Sequence, residues 1–124
     1  AYPNNTGLVS DISYHNITVH NVGNPILVTG RYCPISQSPY PCPLTDRAVT
    51  FRDISFSGFT GTGSALDGIV GNFDCDPASP CHNISLSNIN LSSSLPIAHG
   101  RFHCSNISGP AGDNVSPASC IAPE

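Results

Sequence analysis

Methionine, tryptophan and lysine are absent from these 124 residues, and only 10% of positions are charged. Four arginines against eight acids leave a net charge of −4, with no basic run to follow a phosphate backbone. Nucleic acid is therefore not an expected partner. No apolar stretch approaches the roughly 20 residues that cross a bilayer, so no membrane span is expected. Long helices are not expected either, because 12 Pro and 11 Gly interrupt the chain. Neither an initiator methionine nor a signal-peptide pattern opens it; the reading is a mature product or a fragment. At 12.9 kDa it makes a single domain with a modest core.

Also missing are the spacings that announce common chemistries. No cysteine pair has the C-x-x-C separation of a zinc site, and no G-x-S-x-G marks a nucleophile. No cofactor or metal is expected. His99 and His103 near Cys104 read as strand histidines. Asp74 and Asp76, which flank Cys75, are spaced so that two carboxyls on a strand approach the roughly 6.5–9.5 Å of an inverting glycosidase. The better reading of DCDPASPC is a closed loop with Asp in ordinary turn chemistry.

Cysteine is abundant by contrast: Cys33, Cys42, Cys75, Cys81, Cys104 and Cys120 place the chain in an oxidising compartment. Asn4, Asn16, Asn83, Asn90, Asn106 and Asn114 each precede Ser or Thr by two positions. With 11 Asn in the chain, chance would give about two such acceptor tripeptides. The excess points to a secreted, extracellular protein carrying N-linked glycans. Turns rich in Ser and Asn also generate such tripeptides as a by-product.

One phrase recurs three times: DISYHNI from 11, DISFSGF from 53 and NISLSNI from 83. Aligned, Ile12, Ile54 and Ile84 fall in one column, with Tyr14, Phe56 and Leu86 two residues on. This period of two predicts strands with one buried face. Asn16, Gly58 and Asn88 share the next column and a tolerance of positive φ, so a bend is expected there. Second apolar stretches follow at 24–30, 65–73 and 95–102, and each unit closes on a cysteine. Ile12 to Cys33 and Ile54 to Cys75 are 21 residues apart, Ile84 to Cys104 is 20. Short strands and sharp bends repeating every few tens of residues describe a solenoid whose units are coils. The expectation is an all-β parallel β-helix with like residues stacked about 4.8 Å apart. It has about three coils, 9–47, 48–80 and 81–104, and a tail over 105–124. RYCPISQSPYPCPLTD reads as a surface loop inserted in the first coil. An antiparallel sandwich explains the strands but not the columns. At a bend, the Asn16 amide would turn to neighbouring backbone groups, which argues against a glycan there; Asn83, Asn90, Asn106 and Asn114 fall at strand starts or in loops.

HNITVHNVGNPILVTGRYC, then AVTFRDISFSGFTGT, then NFDCDPASPCHNISLSNINL and two further cysteines resemble, in order, the C-terminal third of the polygalacturonases, glycoside hydrolase family 28. The resemblance implies a right-handed parallel β-helix and inverting hydrolysis of α-1,4-linked galacturonic acid in pectin. It also implies disulfides joining Cys33 to Cys42, Cys75 to Cys81 and Cys104 to Cys120, the last closing the tail. Tyr32 takes the place of a tyrosine at the family's substrate cleft, with packing in a disulfide-flanked loop as the equal alternative.

The family's Asn-Thr-Asp, Asp-Asp, Gly-His-Gly and Arg-Ile-Lys motifs have no counterpart here. No catalytic residue is assigned, and the chain alone is expected to be inactive. Two readings follow. In the first, the chain is the C-terminal piece of a pectin-cleaving enzyme, and the missing N-terminal catalytic coils are its partner. In the second, it is a noncatalytic module, and further copies of itself stack head-to-tail into a filament. Either partner would cover the exposed first rung.

Overall fold

The computed structural model describes residues 1–124 except Pro3, Gln37, Pro39, Ile97 and Ala98. Gln37 and Pro39 belong to the predicted inserted loop, and Ile97 and Ala98 to the third apolar stretch; those parts of both expectations lie outside the described residues. Seven strands follow in order: β1 (Gly7–Val22), β2 (Ile26–Thr29), β3 (Val49–Gly63), β4 (Ile69–Asp74), β5 (His82–Ser93), β6 (Arg101–Ser105) and β7 (Asp113–Ser116). One sheet has the order β1-β3-β5-β7 and the other β2-β4-β6, and every pairing between these strands is parallel. The chain winds from one sheet to the other and returns one rung further on. This is a right-handed parallel β-helix, and the parallel ladders exclude the antiparallel sandwich.

The recurring phrase is the rung. Ile12 pairs with Ile54 and Ile54 with Ile84; Tyr14 pairs with Phe56 and Phe56 with Leu86. Stacking like over like lets flat rings meet face to face. Tyr14 and Phe56 lie parallel with centroids 5.3 Å apart, a contact of about 0.5–1.5 kcal/mol beyond buried area. The bend column is also present, with φ of 55° at Asn16, 73° at Gly58 and 50° at Asn88. At Gly58 the need is spatial as well, since an added Cβ would lie 2.8 Å from Asn16 Oδ1.

A second bend column precedes the isoleucines: Asp11, Asp53 and Asn83 hold φ of 59°, 55° and 53°. Each long strand thus turns two corners without losing its ladder. The three unit-closing cysteines do not share a level. Phe73 pairs with Cys104 and with Val28, while Gly30 donates its N–H to the carbonyl of Asp74, beside Cys75. Register shifts between Val19 and Val22 and between Ile69 and Gly71 change the residue count per coil, so equal spacing does not give equal height.

Phe73, Cys75, Cys81 and Ile84 are fully buried at the centre of the stack. The segment after Cys104 begins as a further coil. Val115 pairs with Ile89 and extends the column of Ile17 and Phe59, and Asn114 repeats the bend at φ 57°. The tail then crosses over the end of the stack. Gly109 donates to the Ala122 carbonyl, and Asn83 N–H donates to Glu124 Oε1 at 2.5 Å. A Cβ on Gly109 would sit 2.0 Å from the Ile84 carbonyl oxygen, so only glycine allows that approach.

Candidate functional site

Beyond β2 the chain leaves the first coil through Arg31 and Tyr32 into the loop joined by the Cys33–Cys42 disulfide. Arg31 is held from the next coil, where Asp74 ends β4: its Nε donates to Asp74 Oδ1 at 3.1 Å, and Nη2 reaches the same oxygen. Tyr32 follows Arg31 in the chain. It is 50% exposed and its ring meets the ring of Tyr2 edge-on, with centroids 5.4 Å apart and planes at 72°. The Tyr32 N–H donates to the Ala1 carbonyl at 2.9 Å, and the Ala1 ammonium donates to the Thr29 carbonyl at 2.5 Å. Partial burial lowers the pKa of that ammonium below its ordinary value.

A small cleft of about 220 Å³ opens here between Arg31, Tyr40, Asp74, Asp76 and the 33–42 disulfide. Its two carboxyls do different jobs. Asp74 is committed to Arg31, whereas Asp76 is 2% exposed and its Oδ1 accepts the Ala78 N–H at 2.9 Å. The Asp76 carbonyl accepts the Ser79 N–H, completing a turn closed by the Cys75–Cys81 disulfide. One carboxyl neutralised by a guanidinium and another consumed by a turn do not form an acid and base couple, which agrees with the turn reading of DCDPASPC.

His103 Nε2 lies 3.4 Å from Ser105 Oγ, and His99 is exposed. Among the described residues, no three of His, Cys, Asp and Glu converge as metal ligands would. Cys104 is bonded to Cys120 and holds the tail. The sequon residues Asn4, Asn16, Asn83, Asn90, Asn106 and Asn114 are all exposed. Among these, the amide that turns to the backbone is that of Asn106, donating to the Cys75 carbonyl; Asn16 makes no such bond to a described residue. Asn83 and Asn114 stand in the bend columns, and Asn90 lies within β5.

A larger opening lies at the start of the stack. It is about 500 Å³, lined by Val9, Ile12, Tyr14 and Ile17 of β1, by Pro25, Ile26 and Val28 around β2, and by Phe51, Ile54, Phe56 and Phe59 of the next rung. These are the side chains that would fill the interior of a coil. Here they are seen end-on. Sequence reasoning picked out Tyr32 but neither Tyr2, which flanks it, nor the Arg31–Asp74 pair, whose members are 43 residues apart. A charged pair that joins coils leaves no local pattern.

A family model for glycosyl hydrolases family 28 matches residues 1–120. An exopolygalacturonase of Rhizopus delemar is 40% identical over 85 residues, covering 68% of this chain and 22% of the relative. A probable polygalacturonase of Arabidopsis thaliana is 33% identical over 117 residues, 94% of this chain and 25% of its own length. A polygalacturonase of Prunus persica is 33% identical over 116 residues, with shares of 94% and 28%. The chain thus spans about a quarter of the length of the curated relatives it matches. No solved structure matches it.

Proposed function

Because the chain belongs to glycosyl hydrolases family 28, we propose that it forms the C-terminal part of a secreted, extracellular polygalacturonase whose catalytic coils stack on β1 and β2. The observation that carries this reading is the opening at the first rung: about 500 Å³ lined by apolar side chains of the kind that fill a coil's interior, which a preceding coil would cover. Alternate N–H and C=O groups of edge strand β1 also lack a neighbouring strand on that side among the described residues. Family membership favours an enzyme over a self-stacking filament. We read the three coils and the tail as one unit, since one sheet runs through all of them and the other through the three coils.

In this reading the chain contributes binding and closure, and the preceding coils contribute the chemistry. Inversion needs a general acid on the leaving oxygen and a base-activated water on the opposite side of the bond. Asp74 and Asp76 are committed elsewhere and supply neither. Tyr32, half exposed and steadied by Tyr2, offers a ring face and a hydroxyl to one sugar of a pectic polysaccharide. The exposed sequons and the three disulfides are compatible with passage through an oxidising secretory route.

The test is an assay on polygalacturonate. The isolated chain should release no reducing ends above the uncatalysed rate, and fusion to the preceding coils of a family member should yield an active enzyme. In that fusion, Tyr32→Ala should raise KM by about tenfold, near the loss of one aromatic contact. Turnover by the isolated chain would overturn the assignment, and Asp74→Asn with Asp76→Asn would then locate the error.

A further inference from the structure

The sequons inside the coils have two different origins. At a bend of this β-helix the backbone needs positive φ, the next side chain points into the core and the one after points out. Asn, then Ile or Val, then Ser or Thr satisfies these demands in order. Four sequons fit: Asn16, Asn83, Asn106 and Asn114 have φ of 55°, 53°, 56° and 57°. The residues that follow them, Ile17, Ile84, Ile107 and Val115, all belong to or pack against the core. At these four positions the acceptor tripeptide is a by-product of coil geometry.

Three of the four also use the nitrogen that a sugar would occupy. Asn83 Nδ2 donates to Asp53 Oδ1 at 2.8 Å, Asn106 Nδ2 to the Cys75 carbonyl at 3.0 Å and Asn114 Nδ2 to Asn88 Oδ1 at 3.2 Å. These bonds run to the neighbouring rung only about 4.8 Å away, where a pyranose ring would crowd the next side chain. Asn16 is on β1, with its Oδ1 set over the bare Cα of Gly58.

Asn90 differs on each count. It lies inside β5 with an ordinary strand backbone and makes no side-chain hydrogen bond to a described residue. Leu91 after it is buried, and Ser92 faces out again. Its neighbours across the sheet are Thr60 and Ser116, both exposed and small. A sugar on Asn90 leaves directly into solvent, with hydroxyls on either side to bond its oxygens.

We propose that, of the five sequons within the coils, Asn90 alone carries an N-glycan in the folded, secreted protein. Asn90 Nδ2 joins C1 of a glycosyl diphosphate donor. The C1–O bond breaks, the diphosphate leaves with the electron pair, and the amide loses one proton to solvent. Asn4 precedes the first rung and lies outside this argument. The proposal rests on the secreted reading above.

The test uses the full chain secreted from a eukaryotic cell. Its folded fraction is treated with the amidase that removes N-glycans and leaves Asp at each formerly modified Asn, and the peptides are then sequenced by mass. Asp is expected at 90, with Asn retained at 16, 83, 106 and 114. Asp at any of those four, or unmodified Asn at 90, overturns the assignment. Secretion is imposed by the host, so that result leaves the secreted reading itself untouched. Bacterially made protein, free of glycans, supplies a second readout. Asn114→Gln should lower Tm by about 4 °C or more while Asn114→Gly does not, and Asn90→Gln should leave Tm unchanged. Equal tolerance of Gln at 114 and 90 would remove the structural half of the argument.

Discussion

Ile12 and Ile84 stand in one column two rungs apart, yet Ile84 is fully buried and Ile12 only partly so. Tyr14 is 42% exposed, whereas Leu86 in its column is 2% exposed. The residue types are alike; what differs is the cover. Beyond β5 lie β7, the bridges of Cys81 to Ile107 and Ser108 to Ala122, and a tail fastened by the Cys104–Cys120 disulfide. On the outer side of β1 no strand pairs with it among the described residues. A parallel β-helix buries its core only between neighbours, so an end is either closed by purpose-built sequence or by another coil. This chain has a closure at one end and an open rung at the other.

The sharpest way to break the comparison is to make the same cut at both ends. Ile84→Ala should cost about 2–5 kcal/mol, because it leaves a cavity in a closed part of the core. Ile12→Ala should cost less than about half of that in the isolated chain, since solvent already reaches its face. Urea denaturation measures both. In a fusion carrying the preceding coils, Ile12→Ala should become nearly as costly as Ile84→Ala. If the two substitutions cost the same in the isolated chain, the first rung is not open.

A smaller effect sharpens the role of the cap. Replacing Cys104 and Cys120 with Ser releases the 16-residue separation that pins the tail and should cost about 2–4 kcal/mol. The loss should be concentrated at β5 and β7. Amide exchange there should accelerate while β1, already at an edge, changes little. Uniform acceleration through all rungs would mean that the disulfide stabilises the whole chain rather than one end.

Much of this architecture was legible because stacking repeats residue types at fixed positions. The Ile12, Ile54 and Ile84 column and the bend at Asn16, Gly58 and Asn88 are visible as soon as the phrases are aligned, and both are real registers. The bend at Asp11, Asp53 and Asn83 was not read, because a polar residue at the start of a strand looks unremarkable until its φ is known. Equal counts to the cysteines do not reveal height, since two register shifts alter the path length without altering the pattern. Strand β7 was hidden because its rung keeps only the second half of the phrase, Asn114 and Val115. At the candidate site, Tyr32 was reached through family resemblance and not through any local signal. Its surroundings, Tyr2 and the Arg31–Asp74 pair, are contacts between distant segments that periodicity does not encode.

The central claim is that β1 is an interior strand of a longer solenoid exposed in this chain, and amide hydrogen exchange of the monomer tests it most directly. Those β1 amides not bonded to β3 should exchange near the rate of an unstructured peptide, while the amides of β5 should be protected to the level of global unfolding. Joining the preceding coils should then raise the β1 protection towards that of β5. A monomer whose β1 amides are protected as strongly as those of β5, with nothing stacked upon them, would contradict the claim.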